Sequence, residues 1–309
     1  MDATPTLKRR DALKCLAYGG AGTLYTLAGG VLVPASLAHA GTAGAAGVPL
    51  FVQLSDTHIG FTKEANPDVG GTLRVAIGRV NALAHPPAFI LHTGDITHLS
   101  KPAEFDAAAE LLKGLKAREL HTVPGEHDVA DATVSEYFAR FGKASGNRGY
   151  YSFDHAGVHF VGLVNVLNFK AGGLGALGPE QLKWLGDDLA GRSASTPVVL
   201  FAHMPLWTIY EPWGWGTADG AEALALVRRF GSVTVLNGHI HQIVQKVEGN
   251  VTFHTARSTA FPQPAPGTAP SPGPMKVPSE ELEKMLGIAS VTFKQNEQRL
   301  AIVDSPLKS

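Results

Sequence analysis

Val233-Thr234-Val235-Leu236-Asn237-Gly238-His239-Ile240-His241 is the stretch that decides how this chain reads. An apolar run, short enough for a buried strand, ends in two imidazoles two residues apart. Strand residues i and i+2 share a face, so the pair enters one pocket only if the chain leaves strand geometry and a turn re-aims the rings. Imidazole is the commonest protein ligand for mid-to-late divalent transition metals. Four fragments upstream end apolar runs in the same manner. Pro49–Leu54 runs into Asp56-Thr57-His58, and Ala88–His92 runs into Gly94-Asp95. Leu120–Val123 leads to Gly125-Glu126-His127-Asp128, and Val198–Phe201 leads to His203.

Between these runs the apolar spacing changes from strand to helix. Leu73, Ala76, Ile77, Val80, Leu83 and Ala84 predict a helix over 72–85, stopped by Pro86-Pro87. Further helices are expected at 103–117, 132–140, from Pro179 to about Leu189, and at 219–230. Paired strands are expected at 150–153 and 158–164, and a hairpin at 243–247 and 251–255. A last helix at 279–286 precedes strands near 288–294 and 299–303. Alternation of strand and helix argues an α/β fold. Ligands in open α/β sheets gather beyond the carboxyl ends of the strands, where every chemical fragment of this chain lies.

The order Asp56-x-His58, Gly94-Asp95, Gly125-Glu126-His127-Asp128, His203 and Gly238-His239-x-His241 resembles the calcineurin-like metallophosphoesterases over about residues 55–241. The resemblance implies a four-layer α/β/β/α sandwich with two mixed sheets. It also implies a site for two transition-metal ions, with Fe, Mn or Zn suited to the imidazole and carboxylate donors. Asp56, His58 and His241 would hold the first ion, Glu126, His203 and His239 the second, and Asp95 would bridge them, one carboxylate oxygen to each. His127 would act on the substrate, with Asp128 orienting its ring. The implied reaction is hydrolysis of a phosphodiester or phosphomonoester by metal-activated hydroxide. The family carries Asn where this chain has Glu126, which adds a third carboxylate and removes an amide donor. That departure leaves a rival open: a non-hydrolytic metal-binding or redox-associated protein on the same fold.

Composition constrains partners and compartment. The chain has 309 residues, 17% of them charged, and a net charge of −1, which argues against nucleic acid as a bulk electrostatic partner. Lys8-Arg9-Arg10-Asp11-Ala12-Leu13-Lys14, the apolar segment Leu16–Val33 and Ala38-His39-Ala40 resemble a twin-arginine export signal spanning 1–40. The expectations are a bacterial periplasmic location, contact with the twin-arginine export machinery, and no stable membrane anchor after cleavage. An uncleaved anchor is the alternative, because the apolar segment approaches spanning length. Cys15 is the only cysteine, so residues 41–309 must hold any metal with nitrogen and oxygen donors.

Two stretches outside the motifs stand out. Leu206–Thr217 holds three of the four tryptophans, directly after His203. It reads as an aromatic wall of the substrate cleft or as a loop folded over its own apolar cluster. Residues 261–278 hold seven of the twenty prolines and read as a solvated spacer. Of the thirteen histidines, five belong to the pattern; His92 and His98 flank Asp95 as candidate neighbours of the ligands, and the others read as surface or core residues.

Overall fold

A computed structural model describes residues 24–28, 31–35, 50–129, 134–146, 148–168, 172–293 and 300–308. The chain divides into two units, Met1–Ala46 and Gly47–Ser309. In the first, β1 (Leu24–Ala28) and β2 (Val31–Ala35) pair antiparallel. The paired arginines and the Ala38-His39-Ala40 site lie outside the described residues. Among the described residues no helix is long and apolar enough to cross a membrane.

The second unit holds two sheets. The first comprises β3 (Phe51–Leu54), β4 (Phe89–His92), β5 (Glu119–Thr122), β12 (Gly287–Phe293) and β13 (Leu300–Pro306), in the order β13-β12-β3-β4-β5. Strands β3, β4 and β5 run parallel, and β12 joins β3 antiparallel. The second sheet comprises β6 (Tyr151–His155), β7 (Val158–Gly162), β8 (Val198–Phe201), β9 (Val233–Asn237), β10 (Gln245–Glu248) and β11 (Val251–Thr255), in the order β10-β11-β9-β8-β7-β6. Its inner strands β7, β8, β9 and β11 are parallel, and its two edges are antiparallel. Both sheets are therefore mixed.

Alternating side chains divide each strand between two cores. On β3 and β4, Phe51, Phe89 and Leu91 face the second sheet and meet Phe160, Val199 and Phe201 there. Val52, Leu54 and Ile90 face the other way, against helices α1 (Val69–Asn81) and α2 (Pro102–Leu112). On the far side, Leu200 and Val235 cover α4 (Pro179–Ala190) and α5 (Gly220–Val227), through Leu185, Leu189, Ala223 and Val227. The layers are thus helix, sheet, sheet, helix. Two shorter helices, α3 (Ser135–Phe141) and α6 (Ser279–Met285), complete the unit.

Helix boundaries differ from the sequence expectation where polar residues intervene. Helix α1 begins three residues early because the Asp68 carboxylate accepts from the Gly71 N–H at 2.8 Å, capping the first turn. Helix α2 ends at Leu112, two residues before Gly114, which carries a high entropic cost inside a helix. The proline-rich stretch is not a solvated spacer along its whole length. Phe261 is buried, and Gln263, Pro272 and Pro274 line the main cleft. Proline lacks an N–H, so such a segment can lie against a sheet edge with few donors to satisfy. Gln242 Nε2 fixes it by donating to the carbonyls of Gln263 and Pro264 at 3.0 and 2.6 Å.

The Phe160 ring sits between the sheets, with centroids 5.6 Å from Phe51, 5.2 Å from Phe89 and 4.9 Å from Phe153. Phe160→Ala should lower unfolding free energy by about 3–5 kcal/mol in denaturant titration; a change below about 1 kcal/mol would mean that the two sheets are not packed through this ring.

Candidate metal centre

Five strands deliver the motif residues to one edge of the sandwich. Asp56 and His58 follow β3, Asp95 follows β4, and Glu126, His127 and Asp128 follow β5. His203 follows β8, and His239 and His241 follow β9. The chain leaves extended geometry sharply at these points. Asp56, His58, Asp95, His239 and His241 all adopt left-handed backbone, with φ of 53°, 42°, 53°, 70° and 52°. Such residues cost on the order of 1–3 kcal/mol each and persist only where neighbours over-determine them.

The neighbours are backbone hydrogen bonds across the cleft floor. Asp56 N donates to Gly94 O at 3.0 Å, and His58 N donates to Asp95 O at 2.9 Å. Gly238 N donates to His203 O at 3.0 Å, and His239 N donates to Asp56 Oδ1 at 3.1 Å. Close approach explains two glycines. A Cβ on Gly238 would lie 2.6 Å from Asp56 Oδ2. Gly94 has φ +94°, and a Cβ there would lie 2.6 Å from His203 Nδ1.

The side chains form two adjoining groups, each with donor atoms within 4.8 Å of one another: Asp56, His58 and His241, and Glu126, His203 and His239. In the first, His58 Nε2 lies 3.2 Å from His241 Nε2, and His241 Nε2 lies 3.3 Å from Asp56 Oδ1. In the second, Glu126 reaches His203 Nε2 at 2.7 Å through Oε2 and His239 Nδ1 at 2.9 Å through Oε1. Asp95 Oδ2 stands between the groups, 3.5 Å from His58 Nε2 and 3.3 Å from His203 Nε2. Asp95 Oδ1 accepts from the His127 N–H at 2.9 Å. Oδ2 is thus the Asp95 oxygen that approaches both imidazoles.

Protonation states follow from the carbonyl partners. His203 Nδ1 lies 2.7 Å from Thr93 O, and His241 Nδ1 lies 2.6 Å from Phe261 O. A carbonyl oxygen only accepts, so each Nδ1 carries a proton and each ring turns its Nε2 toward the cluster. The Nε2 of His203 and Oε2 of Glu126 are buried without a hydrogen-bond partner, facing each other. At 2.7 Å the two atoms can approach only by sharing a proton or a metal cation. Burial alone disfavours a charged His203, yet the Asp95 and Glu126 carboxylates raise its pKa well above the ordinary value. Burial likewise works against the Glu126 carboxylate, and the His239 and His203 rings nonetheless hold it well below its usual range. Burial and the surrounding His127, His241 and His98 rings push His58 well below its ordinary pKa, toward the neutral form that metals require. This donor set fits cations: bare imidazole nitrogens and carboxylate oxygens, no thiolate, and carbonyls fixing the far side of the rings.

One assignment changes with the geometry. Asp128 does not orient His127. Its Oδ2 accepts from Ile96 N and Gly125 N, both at 3.0 Å, and its Oδ1 accepts from Thr97 N at 2.8 Å and Thr97 Oγ1 at 2.9 Å. Asp128 ties the β4 loop to the β5 loop; burial and the Asp95 charge push its carboxyl up to about 6 against those four donors. The His98 carbonyl holds the His127 ring instead, accepting from Nδ1 at 2.7 Å. The His98 ring also stacks on His127 with centroids 4.8 Å apart, and its Nδ1 lies 3.3 Å from His58 Nδ1. Position three residues past Asp95 was the only sequence signal for His98. Ser258, absent from every motif, donates to Asp56 O at 2.7 Å and accepts from Ala260 N at 2.8 Å. The tryptophan-rich loop does both things the sequence allowed: Trp207 packs on Phe253 in the core, while Trp213 and Trp215 line the cleft.

The calcineurin-like phosphoesterase family model matches residues 49–243, the span that carries every candidate ligand as well as His127 and Asp128. The chain belongs to that family. It is a metallophosphoesterase. A probable glycerophosphodiester phosphodiesterase of Arcobacter nitrofigilis is 28% identical over 220 residues, covering 68% of this chain and 78% of that protein. A probable cyclic nucleotide phosphodiesterase of Rhodopseudomonas palustris is 27% identical over 230 residues, covering 68% and 78%. Among solved structures, a dimetal phosphatase from Danio rerio superposes with a TM-score of 0.64 at 15% identity, covering 84% of this chain and 97% of that one. A purple acid phosphatase from yellow lupin gives 0.61 at 13% identity, covering 83% and 51%. These two structures share the fold of this metallophosphoesterase.

A cation that binds only the folded state stabilises it by about 2.7 kcal/mol at a concentration near a hundred times its Kd. Chelation should therefore lower the Tm of the purified protein, and readdition of metal should restore it. A Tm indifferent to both treatments would mean that the cluster holds protons rather than metal.

Proposed function

We propose that this metallophosphoesterase hydrolyses a phosphoric ester, diester or monoester, at a centre for two transition-metal ions. The carrying observation is Asp95 Oδ2, placed between His58 and His203, each within 3.5 Å. Asp56, His58 and His241 would hold one ion, Glu126, His203 and His239 the other, and Asp95 both. When bound, such a pair neutralises phosphoryl charge and makes water acidic enough to supply a nucleophile near neutral pH.

His127 is the proton donor in this reading. Its Nδ1 is spent on the His98 carbonyl, which leaves Nε2 for the cleft that the ring lines. Burial opposes a charged ring there, but Asp95 and Glu126 raise its pKa above the ordinary value. A protonated Nε2 can give its proton to a departing ester oxygen. His98 keeps that ring in place, and Asp128 keeps the two loops together.

Glu126 sets the charge of the centre. With a neutral amide at this position two divalent ions would face two carboxylates; here they face three. The site is one unit less positive, which weakens attraction for a phosphate dianion and favours Fe(III) in a pair otherwise open to Fe, Mn or Zn. A second reading follows from the same residue: Glu126 contacts both His203 and His239, so the centre can serve as a metal-holding site without hydrolysis. Arg9-Arg10 and the Ala38-His39-Ala40 site support export through the twin-arginine machinery to the bacterial periplasm, where a chain without structural cysteines needs no disulfides.

Metal-dependent turnover of bis-p-nitrophenyl phosphate is expected, and Asp95→Asn should abolish it. No turnover with Fe, Mn or Zn would favour the non-hydrolytic reading. Replacing the acid in His127→Gln should cost about 10²–10⁴ in kcat with little change in metal content. Elemental analysis of the wild type and Glu126→Asn should show different metal identity or valence; identical metals and identical rates would remove Glu126 from the coordination sphere.

A further inference from the structure

The metal-facing residues occupy only part of the cleft. The whole cavity measures about 820 Å³, the size of a pocket for an organic molecule of drug-like bulk rather than for a phosphate group alone. Much of its remaining accessible wall is apolar: Val129, Leu167, Trp213, Pro272 and Pro274, backed by the buried Val166, Met204, Trp215 and Phe261. This wall starts at the ligands themselves. Met204 directly follows His203, and the Phe261 ring lies 4.7 Å from the His58 ring and 4.8 Å from the His241 ring. Trp213 is held edge-on between Tyr210 and Trp215, with centroids at 5.2 and 5.1 Å, so the aromatic surface is fixed by its own packing. Among the described residues the cleft beyond its histidines has one basic side chain, the exposed Lys63, and no arginine. A second anionic group on the substrate would find little to neutralise it, whereas an uncharged apolar group would leave water for a preformed surface.

From this wall we infer the substrate class: esters with a single phosphoryl group and a bulky uncharged apolar substituent, aryl or long alkyl, seated on Trp213, which the buried Trp215 backs, and on Leu167. The inference rests on the hydrolase reading above and narrows it. Hydrolysis itself is unchanged: water adds to phosphorus, the bond to the departing oxygen breaks, and that oxygen takes a proton.

The test uses 4-nitrophenyl phosphodiesters that share a leaving group and differ in the other ester group: methyl, 3-carboxypropyl, octyl or 2-naphthyl. With the metal-loaded full chain, kcat/KM for the octyl or naphthyl ester should exceed that for methyl by about tenfold or more, through KM, the scale expected for burying one large apolar group. Which of the two leads tells alkyl from aryl. Trp213→Ala should shrink the naphthyl-to-methyl ratio, and Trp213→Phe should keep most of it. Equal kcat/KM across the series, preference for the carboxypropyl ester, or a ratio indifferent to Trp213→Ala would overturn the inference while leaving hydrolysis standing. Absence of turnover with all four esters would remove the hydrolase reading. Calorimetry with 2-naphthyl and methyl esters of methylphosphonate then still decides the narrower point: tighter naphthyl binding with a negative heat-capacity change supports it, and equal binding overturns it.

Discussion

A single carboxylate oxygen, Asp95 Oδ2, joins the halves of this molecule. It stands between His58 from the first sheet and His203 from the second, while its companion oxygen is tied down by the His127 N–H. Buried carboxylates and imidazoles at such distances are tolerable only when each negative charge meets a positive one and each lone pair meets a proton or a cation. The carbonyls of Thr93 and Phe261 have already taken the Nδ1 protons of His203 and His241. What remains facing inward is the Nε2 atoms of these rings and the carboxylates of Asp56, Asp95 and Glu126. The geometry thus calls for positive charge at the centre before any reaction is considered.

That demand accounts for the strained backbone around the site. Five left-handed residues in one cleft would unravel in an isolated loop. Here each is held by hydrogen bonds to a neighbouring loop, and the loops are held by strands that the inter-sheet core has already fixed. Gln53 shows how the two sheets are joined at that level: its amide donates to Thr93 Oγ1 at 3.0 Å in its own sheet and to Asn237 O at 3.2 Å in the other. The aromatic core around Phe160 is therefore part of the site's machinery, since its loss would loosen the registration of donors rather than remove any of them.

Fold class was legible because strand and helix periods alternate cleanly, and strands as short as four residues, such as Val198–Phe201, fall where the apolar runs lie. The candidate ligands were legible because each interrupts such a run at its carboxyl end. What the sequence concealed has a common cause. His98 and Phe261 act through main-chain carbonyls, on His127 and His241 respectively, and any residue type offers a carbonyl. Asp128 was misassigned for the related reason that adjacency in sequence to His127 suggested a partner, whereas the short turn Glu126–Asp128 sends its carboxylate to the backbone of Ile96, Thr97 and Gly125. The proline-rich stretch was misread because composition predicts stiffness but not the surface on which a stiff segment rests.

In the proposed hydrolase, Glu126 and the apolar cleft wall bear on the same property of the substrate. In that reading a third carboxylate makes the centre less positive, and among the described residues the cleft adds only Lys63 to its histidines to compensate. A phosphomonoester dianion gains most from a strongly positive site, so it loses most from both features. A phosphodiester carries one charge and a second organic group. It would be penalised less by Glu126, and its extra substituent would have the wall around Trp213 and Leu167 to cover it. Weak electrostatic capture together with a large preformed apolar surface therefore points to selectivity that rests on desolvation of the organic group rather than on long-range attraction of the phosphate.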